Sequence, residues 1–135
     1  MPPSYLLDTN IVSYFVRDNH PEIGKRLDRT PLEELAVSAV SEAELRFWII
    51  HRPPNARIRV GVEDFLMRVP SLPWDSGAAQ SCARTREILK RQGRVLSSED
   101  LMIAAHALSL GLTLVTHDEA FSFVEGLRTE DWTCT

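Results

Sequence analysis

Short apolar runs suited to buried strands alternate along this chain with stretches of helical periodicity, and each run stops at an acid or a hydroxyl. Tyr5-Leu6-Leu7 ends at Asp8 and Leu35-Ala36-Val37 at Ser38, while Leu112-Thr113-Leu114-Val115-Thr116 runs into His117 and Asp118. Runs so short and so uniformly apolar are covered on both faces, the pattern of parallel strands rather than of a half-solvated sheet. Parallel neighbours need a crossover, usually helical, between them. Strand–helix alternation over 135 residues therefore predicts one domain, residues 1–135, of the α/β class: three layers, α/β/α, around a short central parallel sheet.

The spacing sets the expected elements. Residues 5–8 predict a strand and 10–17 a helix nearly encircled by Ile11, Val12, Tyr14, Phe15 and Val16. Asp18-Asn19-His20-Pro21 breaks the chain before a short amphipathic segment at 22–27. A second strand is expected at 35–38. Ser41 and Glu44 stand at capping-box spacing, which predicts a helix from 41 to about 50. After the Arg52-Pro53-Pro54-Asn55 break a further helix to 67 would pair with it as a hairpin. Residues 69–72 suit an edge strand that tolerates Pro70, and 78–92 a helix stopped by Gly93. Ser97 or Ser98 opens the next helix, which ends at Gly111; its Ala104, Ala105 and Ala107 let it lie close to the sheet. Residues 112–116 and 132–134 complete the expected strands.

A net charge of -4 argues against a protein that coats nucleic acid through a uniformly basic surface. Distribution matters more than the sum. Among the basic residues only Lys25 and Lys90 are lysines, and cations concentrate in Arg84, Arg86, Lys90, Arg91 and Arg94. That run reads equally well as a solvated helix face or as an edge that tracks phosphates, for which arginine is the better residue. No apolar run approaches the ~18–20 residues of a membrane span. The start Met1-Pro2-Pro3-Ser4 carries no basic region of the secretory kind, so the expected location is the cytoplasm. Cys82 and Cys134 are expected to be reduced and structural.

Four acids stand at the boundaries of these elements. Asp8 closes the first strand, Glu42 and Asp100 fall in the first turns of helices behind Ser41 and behind Ser97-Ser98, and Asp118 follows the last strong strand. Open α/β sheets hold ligands at the carboxyl ends of their strands. Carboxylates gathered there repel one another unless a cation lies among them, and oxygen donors favour magnesium or manganese over zinc or copper. Each acid alone has a humbler reading. Asp8 could cap a helix, Glu42 and Asp100 could balance helix dipoles, and Asp118 could sit in a turn. His51, His106 and His117 have no partners at zinc spacing and read as structural or peripheral.

Leu6-Leu7-Asp8-Thr9-Asn10-Ile11-Val12, Ser38-Ala39-Val40-Ser41-Glu42-Ala43-Glu44-Leu45 and Ser98-Glu99-Asp100-Leu101-Met102-Ile103-Ala104 resemble, in order, the three acidic motifs of PIN-domain ribonucleases. Leu114-Val115-Thr116-His117-Asp118-Glu119-Ala120-Phe121 and the segment after it are similar to the terminal region of VapC toxins of type II toxin–antitoxin pairs. The likeness spans nearly the whole chain. It implies that Asp8, Glu42, Asp100 and Asp118 are catalytic and hold one or two Mg²⁺ or Mn²⁺ ions, with Thr9, Asn10, Ser41 and Thr116 as supporting polar groups. It implies RNA hydrolysis by metal-activated water, leaving 5′-phosphate and 3′-hydroxyl ends, with structured RNA such as transfer RNA as the substrate. Arg84, Arg86 and Arg91 would contact its phosphates. The partners implied are a small VapB-like antitoxin laid over the acidic cleft, with Phe15, Phe47, Trp48 and Ile49 beside it, and a second toxin copy in a homodimer within a larger complex.

The chain departs from the family where His117 replaces a frequent asparagine, and Glu119 competes with Asp118, as Glu99 does with Asp100. A haloacid-dehalogenase-like phosphohydrolase would want a second aspartate where this chain has Asn10, and a receiver-like phosphoacceptor would want a lysine at a late strand end. A catalytically silent RNA-binding module of the same fold is the other alternative.

Overall fold

The computed structural model describes residues 3–134. In chain order it runs β1 (Tyr5–Leu7), α1 (Thr9–Arg17), α2 (Pro21–Arg29), β2 (Leu35–Ser38), α3 (Ala39–Ile49), α4 (Arg57–Arg68), β3 (Ser71–Leu72), α5 (Ser76–Arg91), α6 (Ser98–Leu110), β4 (Thr113–Val115) and β5 (Thr129–Glu130). The five strands form one parallel sheet in the order β3-β2-β1-β4-β5, with β1 at its centre. Leu6 pairs with Ala36 on one side and Leu114 on the other, so the three most apolar runs lie side by side.

Period-two alternation assigns these strands to two cores. Leu7, Leu35, Val37 and Val115 face the layer built on α1, α3 and α4, where they meet Ile11, Val12, Leu45, Val62 and Phe65. Leu6, Ala36 and Leu114 face the other way, onto Ile103, Ala104 and Ala107 of α6 and onto Phe121. Small side chains at 36, 104 and 107 bring α6 close to the sheet, as its alanine content predicts. Each fully buried leucine or isoleucine contributes about 1.5–3 kcal/mol. Gly61 marks a similar approach between α4 and α1, since a Cβ there would stand 2.8 Å from Val16 Cγ1. Gly111 ends α6 at φ 67, and Gly93 follows α5 at φ 69.

Several expected elements differ in their bounds, the edge strand being only Ser71–Leu72 and α5 starting at Ser76. α3 starts at Ala39 rather than 41, because Ser38 at the end of β2 is itself the N-cap and accepts from the Val40 N–H at 3.1 Å. Strand passes into helix without a loop, which turns Ser41 into the buried face of α3. The last strand is Thr129–Glu130 rather than 132–134. Trp132 instead plugs the first core, edge-on to Tyr5, and donates its Nε1–H to Glu130 at 2.9 Å. The segment after His20 is a full helix, since Pro21 stands in its first turn, where a missing N–H costs nothing. Cys82 and Cys134 are both free thiols. No helix among the described residues is long and apolar enough to cross a membrane.

Candidate active site at the carboxyl ends of the strands

Asp8 occupies the N-cap position of α1 yet makes no side-chain capping bond. Its Oδ2 accepts instead from the Thr116 hydroxyl at 2.9 Å, and Thr116 in turn accepts from the Asp118 N–H at 3.1 Å. One hydroxyl at the end of β4 thus locates two of the four acids. Asp8 is only 3% exposed, and none of the seven ion pairs among the described residues supplies it with a cation. Burial above all, then the nearby charges of Asp100 and Glu44, push its pKa up to about 6 against the hydrogen bond from Thr116.

Asp100 lies in the first turn of α6, its N–H bonded to the N-cap Ser97 hydroxyl at 3.1 Å. Burial raises its pKa, with the charges of Asp118 and Glu99 acting in the same direction. The charge of Asp100 reaches Asp8, and those of Asp118 and Glu99 both reach Asp100. Asp118 is exposed, and its Oδ1 also caps the following 3-10 turn by accepting from the Ala120 N–H at 2.9 Å.

Glu42 is not brought to this group. Residues two apart on a helix point roughly 200° apart, and once Ser41, Leu45 and Ile49 define the buried face of α3, Glu42 falls away from it. Its Oε2 accepts from Arg46 Nε at 2.7 Å, one turn on, and the Ser71 hydroxyl and Arg46 hold its carboxyl below the usual range. Glu44 takes the inward position. Thr9 Oγ1 stands 2.6 Å from Glu44 Oε1 and 2.8 Å from Ser41 Oγ. With a single proton Thr9 donates to the carboxylate, and the Ser41 hydroxyl completes the relay. The capping-box role for Glu44 is therefore replaced by a tie to α1. Arg46, four residues beyond Glu42, was the signal for this in the sequence, because an acid–arginine pair at that spacing marks a solvated face.

Thr9, Ser41 and Thr116 all hold acids in place, whereas Asn10 lies exposed, its backbone carbonyl accepting from the Ser13 hydroxyl at 3.1 Å. Arg84, Arg86 and Arg91 are exposed on α5; Arg91 is paired with Glu87 at 3.0 Å, and Arg84 and Arg86 enter no ion pair among the described residues. Of the histidines, His106 is buried in α6 with Nδ1 2.8 Å from Ser38 Oγ, and burial lowers its pKa. His117 is an edge residue, its pKa raised by a hydrogen bond with Asp131 at 2.8 Å.

Among the described residues no three His, Cys, Asp or Glu side chains already gather around one point. Carboxylates that lack a counter-charge repel one another, which disfavours a closed cage of them. The donor set nevertheless fits a hard divalent ion: all oxygen, one carboxylate buried without a cation, two hydroxyls orienting its neighbours.

Residues 5–127 match the PIN domain family. The chain belongs to that family. It is 34% identical over 129 residues to a tRNA(fMet)-specific endonuclease VapC from Shigella flexneri, covering 95% of this chain and 97% of the relative. It is 35% identical, at the same coverage, to Ribonuclease VapC2 from Haemophilus influenzae. The crystal structure of DNA-bound VapBC from Salmonella typhimurium superposes with a TM-score of 0.88 at 30% identity, over 98% of this PIN domain and 99% of the other chain. VapBC-5 from Mycobacterium tuberculosis, a member of the VapBC family of toxin–antitoxin systems, does so with a TM-score of 0.69 at 28% identity, over 96% and 98%.

Proposed function

We infer that this PIN domain is an endoribonuclease and the toxin of a VapBC-type toxin–antitoxin pair, and we propose that it works with Mg²⁺ or Mn²⁺ held by Asp8, Glu44, Asp100 and Asp118. The observation that carries the metal reading is Asp8: a buried carboxylate flanked by two further acids and matched by no basic group. A protein tolerates such a group where a cation completes it. When bound, a divalent ion supplies a nucleophilic water at neutral pH and offsets charge on the phosphate in flight.

The chain's own side chains set the geometry. Thr116 fixes Asp8 and the backbone of Asp118 together, Thr9 and Ser41 fix Glu44, and Ser97 seats the turn that carries Asp100. Because the nucleophile needs no side-chain base, His117 and the RNA 2′-hydroxyl are not required, and products carry 5′-phosphate and 3′-hydroxyl ends. Arg84 and Arg86 meet the backbone of an RNA that approaches over α5, and transfer RNA is the substrate class suggested by the Shigella relative. The deciding experiment compares Glu44→Gln with Glu42→Gln in mapped cleavage of total RNA with added Mg²⁺ or Mn²⁺. Loss in the first and retention in the second is expected. The reverse result returns the α3 acid to Glu42.

An antitoxin fits the layer of α1, α3 and α4. Phe47, Ile50, Val60 and Met67 are exposed there, Phe47 by 77% and Met67 by 87%, and Phe15 borders them. Trp48 is half-buried between the guanidinium groups of Arg17 and Arg52, 5.0 and 5.3 Å from its ring centre. Ile49, expected in the same surface, belongs to the core at 4% exposure. Such a face suits the apolar side of a partner helix. The toxin reading predicts growth arrest when the chain is expressed alone and relief when the neighbouring small protein is coexpressed. A second toxin copy in a symmetric assembly, in the cytoplasm, completes the proposal.

A further inference from the structure

Beside the carboxyl end of α5 lies a cavity of about 680 Å³, bounded by Trp74, Cys82, Arg86, Lys90, Leu101 and Met102. It shares Leu89, Gly93, Arg94, Val95 and Leu96 with a smaller one of about 280 Å³. That second cavity reaches Ala120, whose N–H is bonded to the Asp118 carboxylate. The two share one wall and form a groove that begins beside Asp118 and continues along α6. Ser98, Leu101 and Met102 line it from the face of α6 opposite Asp100, so a strand entering here skirts the amino end of that helix, which is about 10 Å wide.

The groove is chemically two-sided. Its walls are apolar, with Trp74 pinned by donating its Nε1–H to the Met102 carbonyl at 2.9 Å. Its cations are Arg86, Lys90 and Arg94, none of them in an ion pair among the described residues, and no acid lines either cavity. In a chain of net charge -4, three unneutralised cations around an apolar cleft leave a polyanion with flat apolar faces as the complementary ligand. Between the cavities the Arg94 guanidinium lies 3.6 Å from the centre of the Phe123 ring, a planar surface on which a base can stack. The volume falls within the range of about 300–1,000 Å³ typical of small-ligand pockets.

We propose that this groove is a nucleotide subsite: a base flanking the cut is unstacked from the RNA, passes the Arg94–Phe123 pair and lodges against Trp74, Cys82 and Met102, with its phosphate held by Arg86 and Lys90. This rests on the ribonuclease reading and adds to it a selectivity element remote from the acids. Single-stranded RNA is read in this way, by stacking and pocketing of splayed bases.

Cys82 provides the test. In an Asp8→Asn, Cys134→Ser protein, alkylation of the Cys82 thiol by iodoacetamide is timed with and without a short single-stranded RNA carrying the cut site mapped in total RNA. The RNA should slow alkylation about tenfold. Replacing the nucleotides flanking the cut by abasic ones, one at a time, should remove that protection at one position only. In the cleavage-competent Cys134→Ser protein, alkylating Cys82 beforehand should erase the roughly tenfold preference for intact over abasic RNA at that position. Unchanged alkylation while RNA is bound overturns the subsite and leaves the ribonuclease reading standing. Protection that rises with protein concentration in the absence of RNA also overturns it, assigning the groove to a second copy of the chain. Failure to bind or cut RNA at all overturns both.

Discussion

The two faces of α3 carry a carboxylate each, and they teach different chemistry. On the outer face Glu42 is held by Arg46 and Ser71 with a depressed pKa, as a partnered acid is. On the inner face Glu44 is tied to Thr9 and adds its charge to that of Asp100 around a buried Asp8, whose pKa rises to about 6. One acid has its counter-charge within the chain, and the other stands near acids that have none among the described residues. Perturbed acids without a counter-charge concentrate at functional sites, and this contrast is what supports placing the proposed cation beside Asp8 rather than beside Glu42.

The largest test of that contrast is catalytic. Asp8→Asn and Glu44→Gln should each lower the initial rate of RNA cleavage by about a thousandfold or more, since several kcal/mol of charge stabilisation go with a lost ligand. Glu42→Gln should stay within about threefold of the parent. A large loss on removing Glu42 would break the distinction between the two faces.

Next in size are the hydroxyls that hold the inner acids. Thr116→Val and Thr9→Val should each cost about 10–100-fold in cleavage, the scale of groups that orient metal ligands. Urea melts should show stability changes of about 1 kcal/mol, because each variant loses one hydrogen bond. An unaltered rate with either variant would make that relay ornamental.

Stability against pH separates the faces further. Asp8 has a folded pKa above its unfolded value, so as a carboxylate it burdens the fold; the burden is full above about pH 6 and fades as pH falls towards 3.8. Without metal, Asp8→Asn should therefore be the more stable protein at pH 7, by roughly 3 kcal/mol, the free-energy equivalent of a pKa raised from 3.8 to about 6. The gap should close on acidification, and Mg²⁺ should raise the melting temperature of the parent more than that of the variant. A variant less stable than the parent at pH 7 would show that Asp8 is a structural anchor.

The smallest effects concern residues other than these acids and their hydroxyl partners. Arg84→Glu with Arg86→Glu should weaken RNA binding and flatten the slope of log K against log salt by about one for each phosphate that is no longer neutralised. An unchanged slope would leave those arginines as a solvated helix face. His106 should act opposite to Asp8. Burial lowers its pKa, so its neutral form supports the fold above the unfolded value of 6.5, and that support is lost as pH falls below it. His106→Gln should remove this acid sensitivity, measured as the pH dependence of the urea midpoint.

Much of the architecture was legible in the chain. Leu6-Leu7, Ala36-Val37 and Leu114-Val115 announced buried parallel strands, and Ala104 and Ala107 announced a helix pressed onto them, because burial on two faces leaves no alternation with polar residues. Asp8, Asp100 and Asp118 stand at the element boundaries that the sequence places them at, since a residue that closes a strand or opens a helix is located by its element alone. Trp132 reads as strand in the sequence because a large aromatic suits a strand and a core plug equally, and only the neighbouring Tyr5 and Glu130 decide between them.

What the sequence by itself determined, then, was the class of fold and the order in which acids arrive at one edge of the sheet, both of which follow from local pattern. The tertiary structure alone decided which acid of α3 faces that edge. The phase of a helix is set by what its buried stripe packs against, here Ser41, Leu45 and Ile49 against the sheet and α1, and a shift of two residues turns a side chain through more than half a circle. The groove between α5 and α6 was likewise invisible in the chain, because its cations, its aromatic rings and its thiol come from four segments that meet only when the layers close.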